Sequence, residues 1–269
     1  MSSRKVGPQQ RSLELNGARI TVLGYGRTAR EHALGLRRGG NEVAIGLRLG
    51  TMSWVRARQD GFVAHAPSAL VGGADVVVVL VPDEEQASVY WYAIEPLLTP
   101  DALLVFDRAL ALATRVFEPE KNDVVLVRGE LCAPRARCRV AVHHDATGQA
   151  LERAIAYARA SFGKDAEIGT TTVAGEVDAE LAELEERAGG TAALAASVES
   201  LAARVRDSHA PEEAKLAFYE GLGELVAHRS TESTRTHAAR ESATLLRADV
   251  TSPMEVPIFG WGRQSRGWA

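Results

Sequence analysis

Apolar positions follow two alternating periods through the first half of the chain. Arg19–Leu23 is a short apolar run that stops at Gly24. Arg27–Arg38 then carries Ala29, Ala33, Leu34 and Leu36 on a helical pattern, which Gly39, Gly40 and Asn41 end. The same alternation predicts strands over 42–47, 62–64, 75–81, 102–106, 124–127 and 140–142. Between them it predicts helices over 53–60, 67–71, 86–98 and 149–161. The stretch 75–81 is a nearly unbroken valine run, as expected for a strand buried on both faces of a parallel sheet. Strands separated by helices of this length are βαβ units. The predicted fold class is therefore α/β, with an N-terminal Rossmann-type doubly wound parallel sheet over 12–170.

The pattern changes near Gly169. The last strand-like run is 170–173, and helical spacing dominates beyond it. Leu181, Leu184 and Ala188 form one such series, and Leu194, Val198, Leu201 and Val205 another. Pro211 suits the first turn of a helix over 212–228. These features predict a smaller all-α domain over 171–250. An irregular tail follows over 251–269, with Trp261 and Trp268. A helical unit that small is marginal alone, so its apolar positions predict a homodimer that shares the core with a second copy.

Composition narrows the class without naming a function. The chain has 269 residues, 46% of them hydrophobic and 25% charged, which is ordinary for a globular protein. No apolar run reaches the length of a membrane span, and residues 1–11 lack the apolar core of a signal peptide; both predict a cytoplasmic protein. The net charge of −4, with no basic block, argues against nucleic acid as a partner. Cys132 and Cys138 have no metal-site spacing and cannot make a disulfide scaffold.

One motif carries chemistry. Gly24-Tyr25-Gly26-Arg27-Thr28-Ala29 follows a strand and opens a helix. It fits the dinucleotide fingerprint, in which the first glycine permits the turn and the second lets the pyrophosphate approach the helix N-terminus. NAD-preferring sites place an acid near the end of the second strand. Residues 46–53 contain none, and offer Arg48, Thr51 and Ser53 instead. A guanidinium and two hydroxyls suit a 2′-phosphate, so the expected cofactor is NADPH rather than NADH.

Beyond this motif the sequence resembles the ketol-acid reductoisomerases of branched-chain amino-acid synthesis. The matching residues include 22–26, 43–54 and 73–90, the last containing Leu80-Val81-Pro82-Asp83-Glu84-Glu85-Gln86. They also include Leu104-Val105-Phe106, Val142-His143-His144-Asp145-Ala146-Thr147-Gly148, residues 188–194 and residues 217–225. The resemblance covers roughly 13–228. It implies a Rossmann domain followed by a helical domain that dimerises, with active sites shared between subunits. It further implies NADPH, two magnesium ions and an acetohydroxy-acid substrate. Cofactor positions carry over to Gly24, Tyr25, Gly26, Arg27 and Thr28, to Arg48 and Ser53, and to the loop with Val81, Pro82, Asp83 and Gln86.

The chemistry positions depart from the family. Arg108 stands where the family has a histidine, and Glu130 where it has a lysine. The family's metal-binding helix carries Asp-x-x-x-Glu, and counting back from Gly190 puts Ala179 at the aspartate and Glu183 at the glutamate. Glu220 and Glu224 keep the spacing of the second carboxylate pair. Losing the bridging aspartate weakens a paired-metal site, because hard cations need several fixed oxygen ligands. No divalent metal is therefore expected. From its length, the chain is also expected to lack the last helices, which complete the family's knotted topology.

The resulting expectation is an NADPH-dependent reductase that delivers hydride to a C=N (imine) or C=O group of a small molecule, without metal-dependent isomerisation. Its setting would be specialised metabolism, since a cell already needs an intact family member for valine and isoleucine. Glu130, Glu183, Glu220 and Glu224 are expected to line an acidic pocket suited to a cationic substrate. One of them would serve as proton donor. Arg108 is expected either to bind a substrate carboxylate or to pair with Asp107 or Glu130. Three alternatives stand beside this reading: a non-catalytic NADPH-binding partner protein, a true ketol-acid reductoisomerase, and retention of one divalent metal on Glu220 and Glu224.

Overall fold

The computed structural model describes residues 15, 17–130, 135–188 and 191–229. The irregular tail expected at 251–269, the end of the helical segment beyond 229 and the side chain of Leu194 lie outside the described residues.

Valine-rich strands and glycine stops build the α/β half. In chain order it runs β1 (Arg19–Leu23), α1 (Arg27–Arg38), β2 (Glu42–Gly46), α2 (Met52–Gln59), β3 (Val63–His65) and α3 (Pro67–Leu70). It continues with β4 (Val76–Val79), α4 (Asp83–Val89), β5 (Leu103–Phe106), α5 (Leu110–Ala113), β6 (Val124–Glu130), β7 (Arg137–His144), α6 (Ala150–Phe162) and β8 (Glu167–Thr170). The sheet order is β3-β2-β1-β4-β5-β6-β7-β8. β1 pairs in parallel with both β2 and β4. The strand order thus reverses at β1, where an open α/β sheet forms its ligand crevice. All four residues of β4 and of β5 are buried, because helices cover both faces.

Some elements differ from expectation. β7 spans eight residues and runs antiparallel to β6. The connection between them, 131–136, is too short for a parallel crossover, which needs a dozen or more residues. The helix expected over 86–98 begins three residues earlier, at Asp83, and ends in a π-helical turn over Tyr90–Ile94. Asp83, Glu84 and Glu85 place negative charge on its first turn, where the helix dipole favours it. The β-branched run 170–173 is not a strand. β8 ends at Thr170, and the Thr172 hydroxyl accepts a hydrogen bond from Gly175 N at 3.1 Å, opening the next helix.

That helix is α7 (Val173–Ala188), followed by α8 (Thr191–Arg206) and α9 (Glu212–Arg229). They do not stand apart with a core of their own. Val177, Leu181, Val198, Leu201, Val205, Phe218 and Leu222 join one apolar cluster with Val79, Phe106 and Leu110 of the α/β half. α8 touches α4, α7 and α9, and Arg204 pairs with Glu84 of α4 at 3.0 Å. Of the positions expected to be covered by a second copy, Val198, Leu201 and Val205 are covered by this chain itself, so they give no argument for a dimer. Among the described residues no helix is long and apolar enough to cross a membrane.

Candidate active site

The phosphate-binding turn is shaped by contact with the neighbouring strand. Gly24 sits at φ +96°, and a Cβ there would lie 2.6 Å from the Leu80 carbonyl oxygen, so only glycine fits. Gly26 is different. Its φ of −79° suits any residue, and no atom lies within 4 Å of where its Cβ would be. A glycine that the backbone does not require leaves an open space at the start of α1. No side chain caps α1 and its first turn carries no acid, so its N–H groups face that space unopposed. Ala29 is buried, Thr28 half-buried and Arg27 exposed at the rim. This geometry fits a pyrophosphate.

Tyr25 contributes backbone only. Its hydroxyl donates to Asp60 Oδ2 at 2.6 Å, and its ring packs edge-on against Phe62. Arg30 binds the same carboxylate through Nε at 2.7 Å and Nη2 at 3.0 Å. Hydrogen bonds from Arg30 and Tyr25 hold the Asp60 carboxyl down at about 2. The side chain of Tyr25 is thus engaged within the protein and ties the turn to the end of α2.

At the end of β2, Arg48 is exposed and its side chain makes no hydrogen bond or ion pair among the described residues. Thr51 is occupied. Its hydroxyl donates to Arg48 O at 2.9 Å and accepts from Trp54 N at 3.2 Å, capping α2. Thr51 therefore shapes the turn, while the side chains of Arg48 and the half-buried Ser53 make no hydrogen bond among the described residues.

On the other side of the strand reversal, Val81 and Pro82 lead into α4. Gln86 is fully buried, and its Nε2 donates to Val81 O and to Asp83 Oδ1, each at 3.3 Å. Asp83 Oδ2 pairs with Arg108 Nη2 at 3.1 Å. Arg108 follows β5 and is one of three arginines at this edge of the sheet. Arg128 lies on β6 and Arg139 on β7.

These arginines meet α7. Glu176, Glu180 and Glu183 are spaced four and three apart, so they share one helix face. Arg139 binds Glu176 through Nε at 2.5 Å and Nη2 at 3.0 Å. Arg128 pairs with Glu183 and lies 3.8 Å from both Glu176 and Glu180. Glu180 Oε1 accepts from Ala109 N at 2.7 Å, and its Oε2 lies 3.6 Å from Arg108 Nε. Glu180 is 1% exposed. Its Oε2, Arg108 Nε and Arg128 Nη1 are buried without a hydrogen-bond partner among the described residues. Burial pushes the Glu180 carboxyl up to about 7 despite the two guanidinium groups. Burial likewise raises Asp107 to about 6, and raises Asp83 against the opposing pull of Arg108.

Within a single chain the four glutamates expected to line an acidic pocket do not come together. Glu183 is half-buried and paired with Arg128 and Arg187. Glu130 is exposed at the end of β6, in register with Arg137. Glu220 and Glu224 are exposed on α9, away from this cluster. Arg108 pairs with Asp83 and Glu180, not with Asp107 or Glu130. Sequence reasoning missed Glu176 and Glu180, the two fully buried carboxylates of this cluster. Their signal was the helical spacing with Glu183, together with an arginine at the ends of β5 and β6 and at the start of β7.

Three other motif residues lie outside this cluster. His143 and His144 end β7 at the opposite edge of the sheet, where His144 Nε2 bonds Glu120 O at 3.0 Å. The Tyr219 hydroxyl donates to Ala202 O at 3.2 Å inside the core.

A divalent cation needs several oxygens free of competing cations. Here guanidinium groups already engage Glu176 and Glu183 and flank Glu180, while Glu220 and Glu224 lie elsewhere. Within a single chain, the donor set of the described residues does not fit a paired-metal site.

Comparison with known proteins agrees with the geometry of the crevice. The family described as "Acetohydroxy acid isomeroreductase, NADPH-binding domain" matches residues 14–166. A ketol-acid reductoisomerase (NAD(P)(+)) of Metallosphaera sedula is 36% identical over 224 residues, covering 78% of this chain. The chain spans 65% of that relative's length. Among solved structures, an NADH-preferring ketol-acid reductoisomerase from an uncultured archaeon superposes with a TM-score of 0.59 at 24% identity, over 87% of this chain and 81% of that one. A 3-hydroxyisobutyrate dehydrogenase of Mycobacterium tuberculosis gives 0.53 at 15% identity, over 87% and 94%. These two likenesses show the fold. With an open dinucleotide crevice and a family match over more than half its length, the chain belongs to the ketol-acid reductoisomerase family and carries its NAD(P)H-binding domain.

Proposed function

We propose that this protein is an NADPH-dependent reductase that delivers hydride to a C=O or C=N group of a small molecule and does not carry out the metal-dependent rearrangement. The observation that carries this reading is the contrast between the two parts of the crevice. The cofactor half is open and shaped for phosphate, through Gly24, Gly26 and the start of α1. The half beyond β4 is closed by Arg108, Arg128 and Arg139 against the carboxylates of α7.

Arg48 and Ser53 would hold the 2′-phosphate, which favours NADPH over NADH. Val81, Pro82, Asp83 and Gln86 would border the nicotinamide side. NADPH, when bound, supplies the hydride. Arg108, the partly exposed guanidinium after β5, would face the group to be reduced and hydrogen-bond its oxygen. An acidic pocket was the argument for a cationic iminium. With the α7 carboxylates paired to arginine, a carbonyl is the better fit.

The test is NADPH consumption against a panel of 2-oxo acids, hydroxyketones and cyclic imines, in chelator and again with magnesium. Turnover of a panel member that is equal in both supports the proposal. Turnover that requires magnesium overturns it. The 36% identity to the Metallosphaera enzyme favours a second reading, a true ketol-acid reductoisomerase. That reading predicts magnesium-dependent conversion of acetolactate to a dihydroxy acid.

A further inference from the structure

We propose that Glu180 is a positioning residue that, together with Asp83, holds the Arg108 guanidinium in place at the nicotinamide side of the crevice. This rests on the placement of Arg108 proposed above. Arg108 is gripped from two directions. Asp83 reaches it from the head of α4 at 3.1 Å, and Glu180 from α7 at 3.6 Å. One grip therefore comes from the cofactor loop and the other from a helix docked on the sheet edge. Glu180 itself is anchored, because its second oxygen accepts from Ala109 N, the residue after Arg108. The same carboxylate thus fixes both the guanidinium and the backbone that bears it.

Glu180 does not touch solvent and cannot meet a substrate directly. Its effect must pass through Arg108. Its surroundings make that grip sensitive to protonation. Arg108 faces it from the loop after β5, Arg128 from β6 and Asp83 from α4. Glu176 and Glu183 flank it on α7, with Arg139 of β7 bound to Glu176. Near neutrality Glu180 exchanges its charge, since burial lifts it to about 7. When it is protonated, Arg108 is held by Asp83 alone.

The test titrates NADPH into the full chain and reads two quantities, the dissociation constant and the emission of the bound nicotinamide. The variants are Glu180→Gln, Arg108→Met and the double variant. Glu180→Gln keeps the acceptor for Ala109 N and removes only the charge. The dissociation constant should stay within about threefold in all three, because phosphate contacts dominate it. Both single variants should shift the bound-nicotinamide emission alike, and the double variant should shift it no further. In the unmutated protein the emission should follow pH with a midpoint near 7, and Glu180→Gln should abolish that step.

The inference fails if Glu180→Gln lowers the melting temperature yet keeps the emission and its pH profile, while Arg108→Met changes them. If Arg108→Met also leaves the emission unchanged, the placement of Arg108 at the nicotinamide is wrong, and the inference falls with it. Should Glu180→Gln not fold, Asp83→Asn decides the matter. Removing that neighbouring carboxylate must move the pH midpoint down, and an unmoved midpoint overturns the inference.

Discussion

Gly26 and Arg48 each isolate one contact of the cofactor. A Cβ at Gly26 meets no atom of the protein, so Gly26→Ala should fold with unchanged melting temperature. The methyl would occupy the space at the helix N-terminus, and NADPH should bind at least tenfold more weakly, about 1.4 kcal/mol by fluorescence titration. Arg48→Asp removes a charge-assisted bond worth about 1.5–3 kcal/mol and should narrow or reverse the preference for NADPH over NADH. Calorimetric titration checks this, and equal affinities in the unmutated protein would contradict it. Glu180 also leaves a mark on stability. Its folded pKa lies above its unfolded value, so its contribution is full below about pH 4.5 and is lost as pH rises through about 7. Asp107, raised to about 6, acts in the same direction. Thermal melts should therefore fall from about pH 5 to about pH 8, and Glu180→Gln should flatten the fall.

Elements built from local signals are legible in the sequence. The valine run of β4, the Gly39–Gly40 stop of α1 and the glycines before α1 all act through near neighbours, and the structure reproduces them. What is not legible depends on partners far along the chain. Arg139 and Glu176 are 37 residues apart, and Arg128 and Glu183 are 55 apart. No spacing rule pairs a strand-end arginine with a helix not yet placed. The same holds for Glu220 and Glu224, whose shared helix face was readable while its outward direction was not. Gly221 explains part of that direction. A Cβ there would lie 2.6 Å from Thr114 Cα, so α9 presses its backbone against the end of α5 at this point. Neither backbone can yield cheaply. Gly221→Ala should cost about 1–3 kcal/mol in chemical denaturation, with loss of the α9 packing and little change in NADPH affinity.

At the scale of the whole molecule, α7, α8 and α9 close one side of the α/β half and share its core. That packing brings α7 to the crevice and lets its carboxylates meet Arg108, Arg128 and Arg139. A family crevice for a dinucleotide is thereby joined to an arginine–carboxylate lock in place of clustered, uncompensated metal ligands. The most direct test incubates the protein with acetolactate, NADPH and magnesium and identifies the products. The account predicts no dihydroxy acid, with NADPH still bound. Steady magnesium-dependent formation of that acid, abolished by chelator, would contradict it.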